Sequence, residues 1–514
     1  MIDKKYISTS SDWTFETIDQ YYDIINTIAT EEYGLDCYPN QIEIIGSEQM
    51  LDAYSSVGLP LFYNHWSFGQ EFIKQHHFYK KGYMGLAYEI VINSSPCISY
   101  LMEENTMMMQ VLVMAHACFG HNAFFKNNYL FKQWTDAEGI IDYLVFAKKY
   151  IADCEEKYGF DEVEKLIDAL HSLQEYGIDK YKHPPRLSAT QEKEREFERQ
   201  EYIQSQLNEI WSTIPRLKPK TEKEDEERFP KDPQENILYF IEKNAPNMEP
   251  WKREIVRIVR KISQYFYPQR QTKVMNEGFA SFWHYTLVND LYDRGYINDG
   301  YMQEFIINHT NVVMQLPFWH PGYNGINPYA LGFAMYRDIK RISIDPTEED
   351  KKYFEFAGNG DWVGNIMYAM ENFKDESFIL QYLSPTVIRD LKLFSILDHE
   401  NDPKLEVSGI HDDISYKYIK QSLSAQYNIG YNIPDIQVVE VDRWGDRSLK
   451  LQHKMVGRRP LEGEETTEVL RNLAFLWGYD VYLDSVDEKD QTRASFTVKE
   501  DGSLLDVFLD DEDG

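Results

Sequence analysis

His116-Ala-Cys-Phe-Gly-His121-Asn122 closes an apolar run that begins at Met107, and a second such run carries Asn276-Glu277-Gly-Phe-Ala-Ser-Phe-Trp-His284. In both runs apolar residues recur at helical steps, the period of a helix with a buried face. Each run sets His or Glu at the polar edge of that face. Two such helices make the large N-terminal part of the chain mainly α-helical. Their three imidazoles and one carboxylate form a ligand set suited to a divalent metal.

Spacing sharpens this reading. A regular helix turns about 100° per residue, so His116 and His121 point about 140° apart. Convergence requires the helix to end or bulge at Gly120. Glu277 and His284 are seven apart and share a face. Glu277 with His116 and His121 gives the 2-His-1-carboxylate set of many zinc sites. His284 is then a fourth ligand or the group that orients Glu277. Ala117 stands where an H-E-x-x-H helix carries the Glu that takes a proton from water. The plainer alternative is a pair of hydrogen-bonded core histidines, with Glu277 paired to His116 or to an arginine.

Outward from these runs, periodicity predicts helices over about 12–33, 136–157, 161–176, 189–211, 273–293, 299–313, 328–342, 362–373 and 385–396. Pro250 opens a further helix, with Arg253, Arg257, Arg260 and Lys261 on its polar face, and Pro268 ends it. Asn327-Pro328 is a start signal, Asn as cap and Pro at the first helical position. Tyr88–Asn93 reads as a strand. The segment 191–233, rich in Glu, Lys and Arg and then in Pro, reads as a solvated helix followed by a charged linker. A boundary falls near 400. Beyond it the strands Ile436–Val441, Leu449–Val456, Val481–Leu483 and Ala494–Val498, with helices near 412–425 and 467–477, make a small α+β domain. The acidic stretch 506–514 reads as frayed. The expected organisation is therefore a helical domain over 1–400, with a small sheet, and an α+β domain over 401–514.

The net charge of −32 opposes binding to nucleic acid or anionic membrane. Four cysteines in 514 residues, none in a C-x-x-C pair, fit a reducing cytoplasm. The start, Met1-Ile-Asp-Lys-Lys-Tyr-Ile-Ser-Thr-Ser, lacks the apolar core of a signal peptide, and Met107–Phe119 is too short to span a bilayer. A cytoplasmic protein without a membrane span is expected. No phosphate-binding glycine loop and no G-x-S-x-G elbow occurs.

Several strings resemble the SpoVR-like family, named for stage V sporulation protein R. They are Tyr88-Glu-Ile-Val-Ile-Asn, Met102-Glu-Glu-Asn-Thr-Met-Met-Met, the run from His116 to Asn128, Tyr265-Phe-Tyr-Pro-Gln-Arg270, Asn276–Tyr285 and Gly325-Ile-Asn-Pro-Tyr-Ala-Leu-Gly332. Phe475-Leu-Trp-Gly478 extends the likeness, and Phe279 stands where many relatives carry Trp. The resemblance implies a bacterial protein of spore cortex formation or of stress and stationary-phase physiology, associated with an AAA-type serine kinase and a companion protein. It implies no settled chemistry. A looser similarity links the order His116…His121…Glu277-Gly-Phe-Ala280 to helical zinc peptidases. That similarity implies a zincin-like domain in which His116, His121 and Glu277 hold zinc. With Ala117 present, either Glu89, Glu103 or Glu104 acts as base or the site binds metal without peptidase turnover. His320, Tyr323 and Tyr329 are candidate transition-state donors, though ordinary packing and turn chemistry near Pro321-Gly322 explains those three better. Two functions follow: a regulator or scaffold with a metal-binding-like site, or a metal-dependent peptidase or amidase.

Overall fold

The Lys273–Asp293 helix is the hub on which the other elements of the N-terminal part assemble. It is buried along most of its length, because Val274, Met275, Phe279, Phe282, Trp283, Leu287, Val288 and Leu291 cover its whole circumference rather than one stripe. The structure, a computed structural model, describes residues 6–55, 63, 65–80, 89–180, 229–317, 319–393, 395–397, 406–408, 412–428, 433–455 and 459–509. The predicted helix over 189–211 and most of the charged linker lie outside these residues.

The chain forms two compact units, 1–164 with 264–432, and 165–263 with 433–514. In the first unit the hub packs against Pro328–Ile344 and against the helical run 107–127. Around Trp283 gather Tyr33, Phe279, Phe282 and Trp362, with ring centroids 5.2–6.0 Å apart. A three-stranded sheet lies alongside: Cys97–Met102 is central, parallel to Asn40–Ile45 and antiparallel to Glu89–Ile92. Cys97–Met102 is buried on both faces, so it lacks the alternation that marks a strand in sequence. The strand expected from Tyr88 is described from Glu89. Its register sets Glu89 opposite Leu101 and so fixes where its carboxylate emerges.

Two expected endings are revised. The Pro250 helix runs through Pro268 to Gln271. Proline removes a single N–H, and only three residues follow it, so little of the hydrogen-bond ladder is lost. The expected 385–396 helix stops at Asp390, where Lys392 turns left-handed, φ +53°.

Residues 413–426, beyond the expected cut near 400, lie with the first unit. The Tyr416 hydroxyl donates to Leu383 O at 2.5 Å and Ser424 Oγ to Glu376 O at 3.0 Å, tying this helix to Asp375–Tyr382.

The second unit holds a five-stranded sheet in the order Leu504–Leu509, Thr492–Val498, Val481–Val486, Leu449–Lys454, Asp435–Val441. The parallel pair, 449–454 with 481–486, is joined by the helix Gly463–Trp477. That helix buries Leu470, Leu473, Ala474 and Trp477 and stops at Gly478, whose φ of +82° suits glycine. Residues 506–509, read as frayed, are paired strand: Phe508 faces Ser495. The β-forming Val507 and Phe508 outweigh the local acidity. The polar face of the Pro250 helix is also spoken for in part, since Arg257 and Arg260 each pair with the buried Glu242 carboxylate at 3.1 Å. No helix of the described residues is long and apolar enough to cross a membrane, and the four cysteines are free thiols.

Candidate metal centre

The run 107–127 begins at Thr106, whose Oγ1 accepts the Met109 N–H at 3.2 Å. It proceeds as an α-helix to Met114, changes to π geometry over Ala115–His121, and resumes as an α-helix over Asn122–Asn127. In the π turn the Asn122 N–H bonds Ala117 O, five residues back. Five-residue bonding brings i and i+5 to one face. The His116 and His121 rings therefore meet edge to face, with centroids 4.6 Å apart. The helix neither ends nor breaks at Gly120. It bulges, and Gly120 serves packing: a Cβ there would lie 2.5 Å from Ala280 Cα of the hub.

Glu277 reaches the same spot from the hub. Its Oε2 lies 3.7 Å from His116 Nε2 and 3.5 Å from His121 Nε2. Glu89 arrives from the sheet, with Oε1 3.2 Å from His116 Nε2. Glu89, His116 and His121 each offer a ligand atom within 4.8 Å of the others. Both imidazoles thus turn Nε2 inward, and their outer nitrogens are engaged. His121 Nδ1 is 2.9 Å from Asn276 Oδ1. His116 Nδ1 is 2.9 Å from His284 Nδ1, and His284 Nε2 is 2.7 Å from His309 Nδ1. A carbonyl oxygen only accepts, so Asn276 fixes the proton on His121 Nδ1 and leaves Nε2 as a lone pair.

His284, grouped with the ligands by sequence, occupies both its nitrogens with imidazoles and stands behind His116. Tyr329, from the first turn of Pro328–Ile344, hydrogen-bonds the Glu277 carboxylate. Its place is set by Asn327, whose Oδ1 accepts the Tyr329 N–H at 3.0 Å. His320 and Tyr323 lie elsewhere, exposed in the loop before this helix. Among the other base candidates, Glu104 accepts the Ser47 N–H at 3.2 Å and Glu103 lies beside Gly46. The sequence signalled Glu89 as one of three alternatives. His309 carried no signal, and the role of Asn276 depends on the π turn.

The electrostatics follow from burial and mutual proximity. Burial pushes the Glu89 carboxyl up to about 7, against the pull of His116 and with help from Glu277. Burial also opposes charge on Glu277, but His121, His116 and Tyr329 hold it below the usual carboxylate range. His116 is desolvated, yet Glu89 and Glu277 raise it; His121 falls to about 4 because burial wins. Oε2 of Glu89 and Oε2 of Glu277 are buried and lack a hydrogen-bond partner among the described residues. The orphaned Glu277 Oε2 facing both Nε2 atoms, with the His121 Nε2 lone pair beside it and the Glu89 carboxyl adjacent, fits a divalent cation.

Replacing Asn276 by Ala should lower metal affinity about 10- to 100-fold while leaving all four inward-facing groups in place. Competition with a chelating dye measures this. An unchanged affinity would mean that His121 needs no orienting partner.

The family described as SpoVR like protein matches residues 12–432, and its SpoVR-like C-terminal domain matches 434–488. The uncharacterized protein YcgB of Escherichia coli strain K12 is 55% identical over 486 residues, 95% of each chain. No solved structure matches.

Proposed function

The chain belongs to the SpoVR-like family, and from that premise and the geometry of the cluster we propose that it binds one divalent metal, zinc foremost, in a centre built for hydrolysis of a peptide or amide bond. The observation that carries the reading is the convergence of His116 Nε2, His121 Nε2 and the Glu277 carboxylate, with Glu89 beside them. His116, His121 and Glu277 would hold the ion. When bound, zinc supplies Lewis acidity. Glu89 fills the vacancy that Ala117 leaves, because a carboxyl near 7 can take up a proton and return it at neutral pH. Tyr329 steadies Glu277, and Asn276 and His284 keep the two imidazoles turned inward. A zincin-like ancestry for the helical domain is part of this proposal.

The burial of the site favours a second reading. His116 and His121 are 5% and 7% exposed. A site so enclosed also suits a regulator or scaffold whose ion is structural, acting in the cytoplasm in sporulation or stress physiology with an AAA-type serine kinase and a companion as partners. The family resemblance supports that setting.

Elemental analysis of the purified protein tests the common premise. About one equivalent of metal is expected, lost in His116→Ala and in Glu277→Ala. A metal-free protein whose two variants melt at the parental temperature would remove the site. Glu89→Gln then separates the readings. A hydrolytic centre keeps its metal and loses cleavage of fluorogenic dipeptide amides, whereas a structural site shows no cleavage in either form.

A further inference from the structure

A cleft of about 560 Å³ opens in the first unit between the 315–326 loop, the turn after Asp390 and the exposed side of the Asp413–Gln426 helix. Its size is that of a site for a small ligand. Trp319 and Tyr418, each 60% exposed, and Tyr323, 38% exposed, present aromatic surface to it. Among the described residues its charged groups are Lys392 and Asp390, and Ser422 adds a hydroxyl.

Lys392 is the telling residue. It follows the Pro385–Asp390 helix at φ +53°, where Leu393 N–H returns to Ile388 O at 3.0 Å. This is the left-handed position after a helix that glycine ordinarily fills. A lysine here accepts backbone strain. Its ammonium lies 5.3 Å from the Trp319 ring centre. The left-handed turn ends the helix, but glycine would make it without strain; a lysine there instead places a cation over an aromatic face at the cleft.

We propose that this cleft binds a short peptide through a C-terminal residue with an apolar side chain. The carboxylate meets Lys392, the side chain lies against Trp319 and Tyr418, and an amino group meets Asp390. One cation and one anion match a zwitterion and disfavour a polyphosphate, whose charge Asp390 would repel. The inference does not rest on the metal reading, since none of these groups belongs to the metal cluster. The loop nevertheless links the two: Ile326 lines the cleft and Tyr329, three residues on, bonds Glu277.

Saturation-transfer NMR on the full chain, with the tripeptides Gly-Gly-Xaa (Xaa Phe, Tyr, Trp, Leu or Ile) as probes, tests the proposal. Signals are expected from the Xaa side chains, with Gly-Gly-Gly silent. C-terminal amidation of the best peptide, or Lys392→Gly, should weaken binding about tenfold. Lys392→Gly also relieves the strained backbone, so its melting temperature should not fall, and loss of binding cannot be put down to misfolding. Trp319→Ala should weaken binding similarly, and Glu277→Ala should leave it intact. Silence from every peptide, or binding untouched by amidation and by Lys392→Gly, would overturn the proposal.

Discussion

Gly278→Ala should destabilise the first unit by about 3 kcal/mol or more, the upper range for an overpacked core. A Cβ at 278 would lie 2.4 Å from both Cα and C of Gly332, and one at 332 would lie 2.1 Å from Val274 O. These neighbours are backbone, so no rotamer change can relieve the overlap and the two helices must part. The hub carries Asn276 and Glu277 beside Gly278, and the partner helix carries Tyr329. Separation therefore also loosens the metal centre. Thermal unfolding and metal titration of the variant should both shift, and Gly332→Ala should do the same. A variant that melts within a degree or two of the parent would show that the helices do not approach so closely. Gly34→Ala is a useful contrast, since its Cβ would meet nothing within 4 Å and its cost arises from φ +71° alone.

Acidification should expel the metal. A cation displaces protons from its ligands and from acidic groups beside them, so the direction depends on which of these are protonated in the free protein. Glu89, near 7, holds a proton at pH 6, and His116, raised by its two carboxylate neighbours, does so as well. His121, near 4, and Glu277, held low, hold none there. Affinity should thus fall about tenfold per pH unit for each proton displaced, up to two protons below pH 6, and level off above the two higher pKa values. Calorimetry of zinc binding in two buffers of different ionisation enthalpy counts the protons released. Between one and two are expected at pH 6.5, and Glu89→Gln should remove one. A count of zero at that pH would show that neither Glu89 nor His116 gives up a proton to the ion.

Much of the helical part was legible because its signals are local. The 273–293 helix, the Asn327 cap before Pro328 and the helix expected near 412–425 all match, because helical period and capping chemistry are properties of neighbouring residues. The strand Cys97–Met102 escaped notice, since burial on both faces erases alternation.

The sequence by itself determined the residue types at the centre: His116, His121 and Glu277 on long apolar helices, and no glutamate after His116. It also set the condition for their convergence, a bulge or an end at Gly120. Tertiary structure alone decided between these. A π turn inserts one residue into the helix at the expense of regular hydrogen bonding. Here that turn is seated where Gly120 packs onto Ala280 of the hub. Tertiary structure also brought Glu89 from a strand and set His284 and His309 behind His116, because contacts between distant segments leave no period in the chain.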